Sequence, residues 1–360
     1  MVAKTSPLQR AEAFAASLGI RVPILLAPMS GACPPSLSIA VANAGGLGAC
    51  GALLMQPAEI TAWCAEFRAH SDGHFQLNLW VPDPPPVRDA ALEQRQRDYL
   101  ATWGPPVPED AGNAAMPDFD AQCQTLLDAK PRVISSIMGL YSPQFASEIK
   151  KCGALWFAVA TPAAEARAAE AAGADAIVAQ GAEAGGHRGA FNAAEAESKL
   201  VGLFSLLPQI VDAVSIPVIA TGGIADARGV AAALILGASA VQIGTGFLRS
   251  PEAKLNAAWA DSIARTEAHE TIVTRAFSGR PGRGIGNDYA RASAAGGAPP
   301  APYPVQRGLT KAMREAAAKA GDATRMQMWA GQSAKLARVE SAALLTAQLW
   351  EGARFLLQKP

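Results

Sequence analysis

Short β-branched or apolar runs take turns along this chain with Ala-rich stretches of helical length, and that alternation limits the fold more than any other feature. Each helix must carry the chain back across a sheet face before the next strand starts, so the strands run parallel. Eight strands are predicted, at Ile24–Met29, Leu47–Ala52, Phe75–Trp80, Arg132–Met138, Leu155–Ala160, Ala176–Gln180, Val218–Thr221 and Ala240–Ile243. Seven helices fall between them, near Ser36–Ala44, Ala58–His70, Ala121–Ala129, Gln144–Lys151, Ala163–Ala172, Ser205–Ala213 and Asp226–Leu236. Eight strands joined by seven crossovers predict an α/β protein closed into a (β/α)8 TIM barrel.

Two stop signals support these helices. Gly173 and Gly237 each follow an Ala/Leu-rich stretch, where glycine accepts the left-handed conformation that ends a helix. They also open a weak internal repeat, Gly173–Gly181 against Gly237–Gly244: a helix end, a short loop, a buried strand and a glycine at its exit. Their separation of 64 residues is about two βα units, as the sixth and eighth strands of a barrel require.

Two segments break the rhythm. Val81–Pro117 carries Pro84, Pro85, Pro86, Pro105, Pro106 and Pro108 and cannot be a regular strand–helix unit throughout, although Arg88–Trp103 within it reads as a short exposed helix. Ser250–Gly331 follows the eighth strand and contains a Gly/Pro-rich stretch, Ser278–Gly308. Loops of this length in compact domains are usually functional or disordered. The organisation expected is a barrel of residues 1–249 and 333–360, with a cap or substrate domain of residues 250–332 inserted before a last barrel helix at Ser333–Leu357.

Composition narrows the ligand. The 31 basic and 31 acidic residues cancel, so no large positive field favours a nucleic acid, and small molecules are the expected partners. Five widely spaced cysteines without a C-x-x-C pair argue against a disulfide framework or a zinc site, and a reducing cytoplasm is the default. Lys4 and Arg10 precede Glu12, which interrupts the apolar stretch a secretory leader needs. The longest apolar run, Val230–Ala238, is half of a membrane span. Neither membrane attachment nor a nucleic-acid partner is expected; a homo-oligomer stays open.

In a βα barrel the active site lies at the C-terminal ends of the strands, with phosphate commonly held after strands seven and eight. After strand seven comes Thr221-Gly222-Gly223-Ile224, and after strand eight Gln242-Ile243-Gly244-Thr245-Gly246. Glycines let backbone N–H groups approach an anion, and a helix N-terminus adds a favourable dipole. Either loop alone could be a plain turn; together they read as one phosphate cradle. Neither matches a Walker A or dinucleotide fingerprint, so a mononucleotide-like phosphate is implied.

The densest signal follows strand six: Gln180-Gly181-Ala182-Glu183-Ala184-Gly185-Gly186-His187-Arg188-Gly189. His187 stands where this fold places catalysis, and a general-base role competes evenly with a structural one. Glu183 and His187 have a spacing that suggests metal ligands, but Gly185 and Gly186 oppose a helix between them and no third ligand is evident, so no metal is expected. His70, His74 and His269 lie away from strand ends and read as surface or packing residues. Ala27–Gly31 and Asn78 end strands one and three at the same mouth, and Trp329–Gln332 reads more simply as a helix terminus than as a site segment.

These segments resemble the nitronate monooxygenase family, formerly 2-nitropropane dioxygenases, and its class I branch in particular. The similar stretches are Pro23–Met29, Ala44–Gly48, Asn78–Trp80, Ala179–Gly189, Pro217–Gly223, Gly237–Thr245, Ser278–Arg280 and Trp329–Gln332. The resemblance implies an FMN enzyme that oxidises alkyl nitronates, and nitroalkanes where these are accepted, with O2 to a carbonyl compound and nitrite; separately, the cationic cap given by Arg307 favours a carboxylate-bearing nitronate such as propionate 3-nitronate. By it, Asn78, Gln180, Gly185, Gly222, Gly223, Gln242, Gly244 and Thr245 would bind FMN, with Met29 near its ring. His187 matches the catalytic histidine, and Lys311 and Tyr303 match substrate-side residues of the cap. The chain departs from relatives at Arg307, where an aromatic residue is frequent, and at Trp259, which stands for a pocket tyrosine. The competing expectation is an NAD(P)H-dependent FMN reductase acting on quinones or an enoyl thioester. A flavin-free barrel for a phosphorylated metabolite is a third reading.

Overall fold

The computed structural model describes residues 6–113 and 115–358; Lys4 and the extreme ends of the expected barrel boundaries lie outside them. In chain order the strands are β1 (Ile24–Leu26), β2 (Gly48–Gly51), β3 (Phe75–Trp80), β4 (Val133–Ile137), β5 (Leu155–Ala160), β6 (Ala176–Gln180), β7 (Gly186–His187), β8 (Val218–Thr221), β9 (Ala240–Ile243), β10 (Thr271–Thr274) and β11 (Gly282–Ile285). Eight of them form a parallel sheet in the order β1-β9-β8-β6-β5-β4-β3-β2. A parallel bridge between Leu25 and Leu47 joins its two ends into a ring. The predicted eight-stranded barrel is therefore what forms. Gly173 and Gly237 adopt φ of 94° and 111° just after their helices, as the repeat predicts.

Strands have a side-chain period of two, and in this ring the period sorts a dry floor from a polar mouth. Phe157 and Val159 of β5, Ala176 and Val178 of β6, Ile219 of β8 and Ala240 of β9 pack inside the barrel. Above them, the inward positions are Asn78, Gln180, Thr221 and Gln242. The alternate residues Leu77, Leu79, Ile177, Ala179, Val241 and Ile243 face outward and pack in the layer shared with the surrounding helices.

An element not foreseen in the sequence closes the floor. Pro7–Leu18 is a helix capped by Ser6, and its Phe14, Ala15 and Leu18 pack into the barrel interior with Ile20. Burying a side chain of this size stabilises by about 1.5–3 kcal/mol, so Phe14 and Leu18 together make this end of the barrel a substantial contact.

Several predicted boundaries shift, three of them with a local cause. The first strand stops at Leu26 rather than Met29, because Pro28 has no N–H for the ladder and Ala27–Met29 turn into the mouth. The last helix spans Ala342–Gln358 rather than starting at Ser333. Residues 334–336 form a separate 3-10 turn, the Ala337 carbonyl accepts from Arg249 Nη1 at 2.9 Å, and Ser341 Oγ accepts from Leu344 N–H at 3.3 Å to open the helix. Within the proline-rich segment, a helix does form at Ala90–Ala101, with Asp89 accepting from Ala91 and Leu92 N–H.

The stretch after β9 folds over the mouth. β10, β11 and β7 make an antiparallel sheet, so the loop after β6 is itself paired to this layer. Phe277, Tyr289, Leu309 and Met313 share a core with Leu100, Tyr99 and Trp103 from the proline-rich segment. Gln306 is fully buried and holds this layer together, donating to the Ala276 carbonyl at 2.8 Å and accepting from Ala301 N–H at 2.9 Å.

Candidate active site

The mouth encloses a cavity of about 410 Å³. Among the sequence-predicted residues, Met29, Asn78, Gln180, Gly185, His187, Gly222, Gly223, Gln242, Gly244, Thr245 and Tyr303 all line it. Arg307 and Trp259 line it too. Segments scattered over the sequence thus converge on one space.

Lys311 does not join them. Its side chain is exposed and lies 3.9 Å from Glu315 on its own helix. The helix instead turns Arg314 to the cavity, where Thr310 Oγ1 and Gln327 Oε1 accept from its guanidinium at 3.1 and 3.2 Å and the Arg307 carbonyl at 2.9 Å. Burial, then the neighbouring Arg307, lowers Arg314 to about 10, still a cation at neutral pH. No Asp or Glu lines the cavity among the described residues. Its fixed charge is therefore positive.

His187 is part of the cavity wall. Its imidazole lies edge-on between the indoles of Trp80 and Trp329, with ring centroids 4.6 and 4.8 Å away. Nε2 is 2.7 Å from Ser278 Oγ. Burial, with Arg280 and then Arg307 adding like charge, pushes the imidazole down to about 3, so it is neutral in ordinary buffers. A neutral imidazole retains the lone pair that a general base needs.

The loop that carries His187 is held by its own buried polar groups. Gln180 Nε2 donates to the His187 carbonyl at 3.1 Å, and its Oε1 accepts from Gly189 N–H at 2.8 Å. Arg188, fully buried, donates to the carbonyls of Gly181 and Gln180 at 2.9 and 3.1 Å. Glu183 accepts from Leu203 N–H at 2.8 and 2.9 Å, at the start of the helix Leu203–Val211, so its carboxylate is engaged with that backbone. No metal-ligating cluster occurs among the described residues.

Other cavity-lining groups keep a polar atom without a partner among the described residues. Asn78 donates through Nδ2 to Ser135, which leaves Oδ1 as a free acceptor. Gln242 accepts from Gln76 through Oε1 at 3.0 Å, which leaves its amide N–H groups as free donors. After β8, Gly222 and Gly223 have φ of 111° and 70°, and their N–H groups have no acceptor among the described residues. A side chain on Gly222 would crowd Ala184, 3.0 Å from an added Cβ. The set comprises a donor and an acceptor for a polar ring edge and a backbone cradle for an anion.

Trp329 was the residue least legible in the sequence. It is not a helix terminus: it bridges to Gly284 in antiparallel fashion and walls the cavity beside His187. Trp80 carried a signal, since it lies two residues beyond Asn78 on the same strand face. Arg314 carried none, and Ser278, although it opens the similar stretch Ser278–Arg280, gave no sign of its contact with His187.

Fold and site together define a barrel oxidoreductase with its active centre at the strand ends. The family model described as nitronate monooxygenase matches residues 12–352, and the chain belongs to that family. A nitronate monooxygenase of Paraburkholderia phytofirmans is 40% identical over 340 residues, covering 92% of each chain. A probable nitronate monooxygenase of Staphylococcus aureus is 37% identical over 333 residues, 90% of this chain and 92% of that one. Among solved structures, nitroalkane oxidase from Streptomyces ansochromogenes superposes with a TM-score of 0.85 at 35% identity, covering 95% of this chain and 99% of that one. FabK from Thermotoga maritima superposes at 0.72 with 27% identity over 96% and 97%. No helix among the described residues is long and apolar enough to cross a membrane.

Proposed function

We propose that this enzyme holds FMN at the barrel mouth and oxidises alkyl nitronates with dioxygen to a carbonyl compound and nitrite. The observation that carries the reading is the composition of the cavity wall: a neutral histidine and two arginines, with no carboxylate among the described lining residues. Such a wall attracts an anion and leaves a base ready beside it.

The residues fit the cofactor. The Gly222 and Gly223 N–H groups, with the Gly244–Thr245 turn, would hold the phosphate, while Asn78 Oδ1 and the Gln242 amide would meet the polar edge of the ring. When bound, a flavin supplies the electron-accepting ring that the protein lacks. Gln180 and Gly185 serve the same site indirectly, by fixing the histidine loop and letting it pass under residues 330–331.

The chain's own residues do the rest. Arg307 and Arg314 orient an anionic substrate, and Tyr303, 5.5 Å from Trp80 by ring centroid, closes the wall. Where a neutral nitroalkane enters, His187 removes its α-proton. Two arginines at one end suit a nitronate that bears a carboxylate, such as propionate 3-nitronate. Residues 250–332 form the cap in this reading, and the cell compartment is the cytoplasm.

The test is an absorbance spectrum of the purified protein, followed by anaerobic mixing with a nitronate and, separately, with NADPH. Flavin bands that bleach with the nitronate support the proposal. Bleaching by NADPH with no response to nitronate overturns it in favour of a reductase, and a colourless protein that recovers no flavin on addition of FMN overturns it as well.

A further inference from the structure

The hydrogen bonds around Ser278 decide which nitrogen of His187 carries the proton. Ser278 Oγ lies 2.7 Å from His187 Nε2, 3.1 Å from the Arg280 carbonyl and 3.3 Å from the Arg280 N–H. A hydroxyl has one proton to give and two lone pairs to offer. The carbonyl of Arg280 can only accept, and among the described residues no other donor reaches it. Both Ser278 and Arg280 are buried, so a carbonyl left without that proton would lose its hydration with nothing in exchange.

The arrangement that satisfies every group has Ser278 donating to the Arg280 carbonyl and accepting from the Arg280 N–H and from His187 Nε2–H. The opposite choice, with Ser278 donating to Nε2, orphans the carbonyl. Among the described residues Nδ1 has no partner and is not one of the buried unpaired atoms, while His187 lines the cavity. The free lone pair of the ring is therefore the one open to a ligand. The hydroxyl itself is held in place from behind: the Arg280 guanidinium is bound by both carboxylate oxygens of Asp83 and donates to the Ala190 carbonyl at 2.5 Å.

We propose that Ser278 is a positioning residue that holds His187 in the Nε2–H tautomer, so that Nδ1 is the nitrogen that receives the substrate's α-proton. In that step the C–H bond of the nitroalkane breaks and its electron pair stays with the substrate as the nitronate. The proton joins Nδ1, and the imidazolium so formed keeps Nε2–H pointed at Ser278 Oγ. The catalytic half of the inference rests on the nitroalkane reading given above; the tautomer does not.

The test separates the two halves. The flavin-loaded protein labelled with 15N-histidine is examined by long-range 15N–1H correlation at neutral pH, with His187 assigned by its disappearance in His187→Asn. A protonated Nε2 with a bare Nδ1 is expected, and a protonated Nδ1 overturns the proposal whatever the enzyme turns over. In Ser278→Ala the tautomer preference should relax. Its kcat should fall roughly tenfold further with a neutral nitroalkane than with the matching nitronate, since an orienting partner acts on the proton transfer. An unchanged tautomer signature in a folded Ser278→Ala also overturns the assignment to Ser278. Failure to turn over either substrate in the parent protein counts against the functional reading alone.

Discussion

Gly185 lies so close to Gly331 that an added Cβ would sit 2.5 Å from the Gly331 backbone nitrogen. The reverse holds too, since a Cβ on Gly331 would stand 2.7 Å from the Glu183 carbonyl oxygen. The two glycines interlock the histidine loop with the segment that brings Trp329 over the imidazole. Gly185→Ala should push residues 329–331 away from the cavity, lowering thermal stability and weakening flavin retention. A melting curve and the flavin content of the purified variant check this; a full complement of flavin at unchanged melting temperature would sink it.

His187→Asn keeps a polar side chain of similar reach but has no base. Loss of a general base typically costs roughly 10²–10⁴-fold. The variant should lose that much with a neutral nitroalkane and far less with preformed nitronate, measured as oxygen consumption with each.

The pH dependence has a definite sign. His187 stands near 3 in the folded protein against 6.5 for an unperturbed histidine. Below pH 6.5 the unfolded chain therefore binds a proton that the folded chain refuses, so this residue makes stability rise with pH between about 3 and 6.5 and adds no slope above. Chemical denaturation of the parent and of His187→Asn should show a stability gap that changes across that window and is constant at higher pH. The nitroalkane rate should show no protonation step at 6.5 from this residue.

Arg280 is almost fully buried, and Asp83 is the carboxylate that pairs with it. Breaking a buried pair by removing one partner costs about 3–5 kcal/mol, and Asp83 is partly exposed, so Asp83→Ala should cost about 3 kcal/mol in urea unfolding. Loss of less than about 1 kcal/mol, the value of a surface pair, would show that solvent reaches the guanidinium.

Substrate charge should be read by Arg307 and Arg314 rather than by Lys311. A hydrogen bond to a charged group contributes about 1.5–3 kcal/mol. Arg314→Met should accordingly raise KM for a carboxylate-bearing nitronate by roughly 10- to 150-fold relative to an uncharged one. Lys311→Ala, altering an exposed side chain outside the cavity, should leave that ratio unchanged. Equal ratios in the parent protein at low and high salt would remove the carboxylate preference.

Much of the barrel could be read from the sequence because it is written in local signals. Runs such as Leu155–Ala160 and stops such as Gly173 need no distant partner to be recognised. Asn78 could be placed at the mouth from its position near the end of β3, whereas the buried contact of Gln76 with Gln242 across the ring could not, since it exists only once the ring closes. The mouth loops after β6, β8 and β9 were legible because glycine and histidine at strand ends are rare enough to notice. Trp329 and Arg314 were hidden, as their places depend on a chain that crosses more than a hundred residues in sequence to return to the cavity that His187 lines. Lys311 shows the opposite failure: a match in type and position said nothing about which way its side chain turns.

The helix Pro7–Leu18, with Phe14 and Leu18 sunk into the barrel, gives the molecule the form of a flask with a stopper at its base. A ligand arriving at the neck and a product departing must use the same passage.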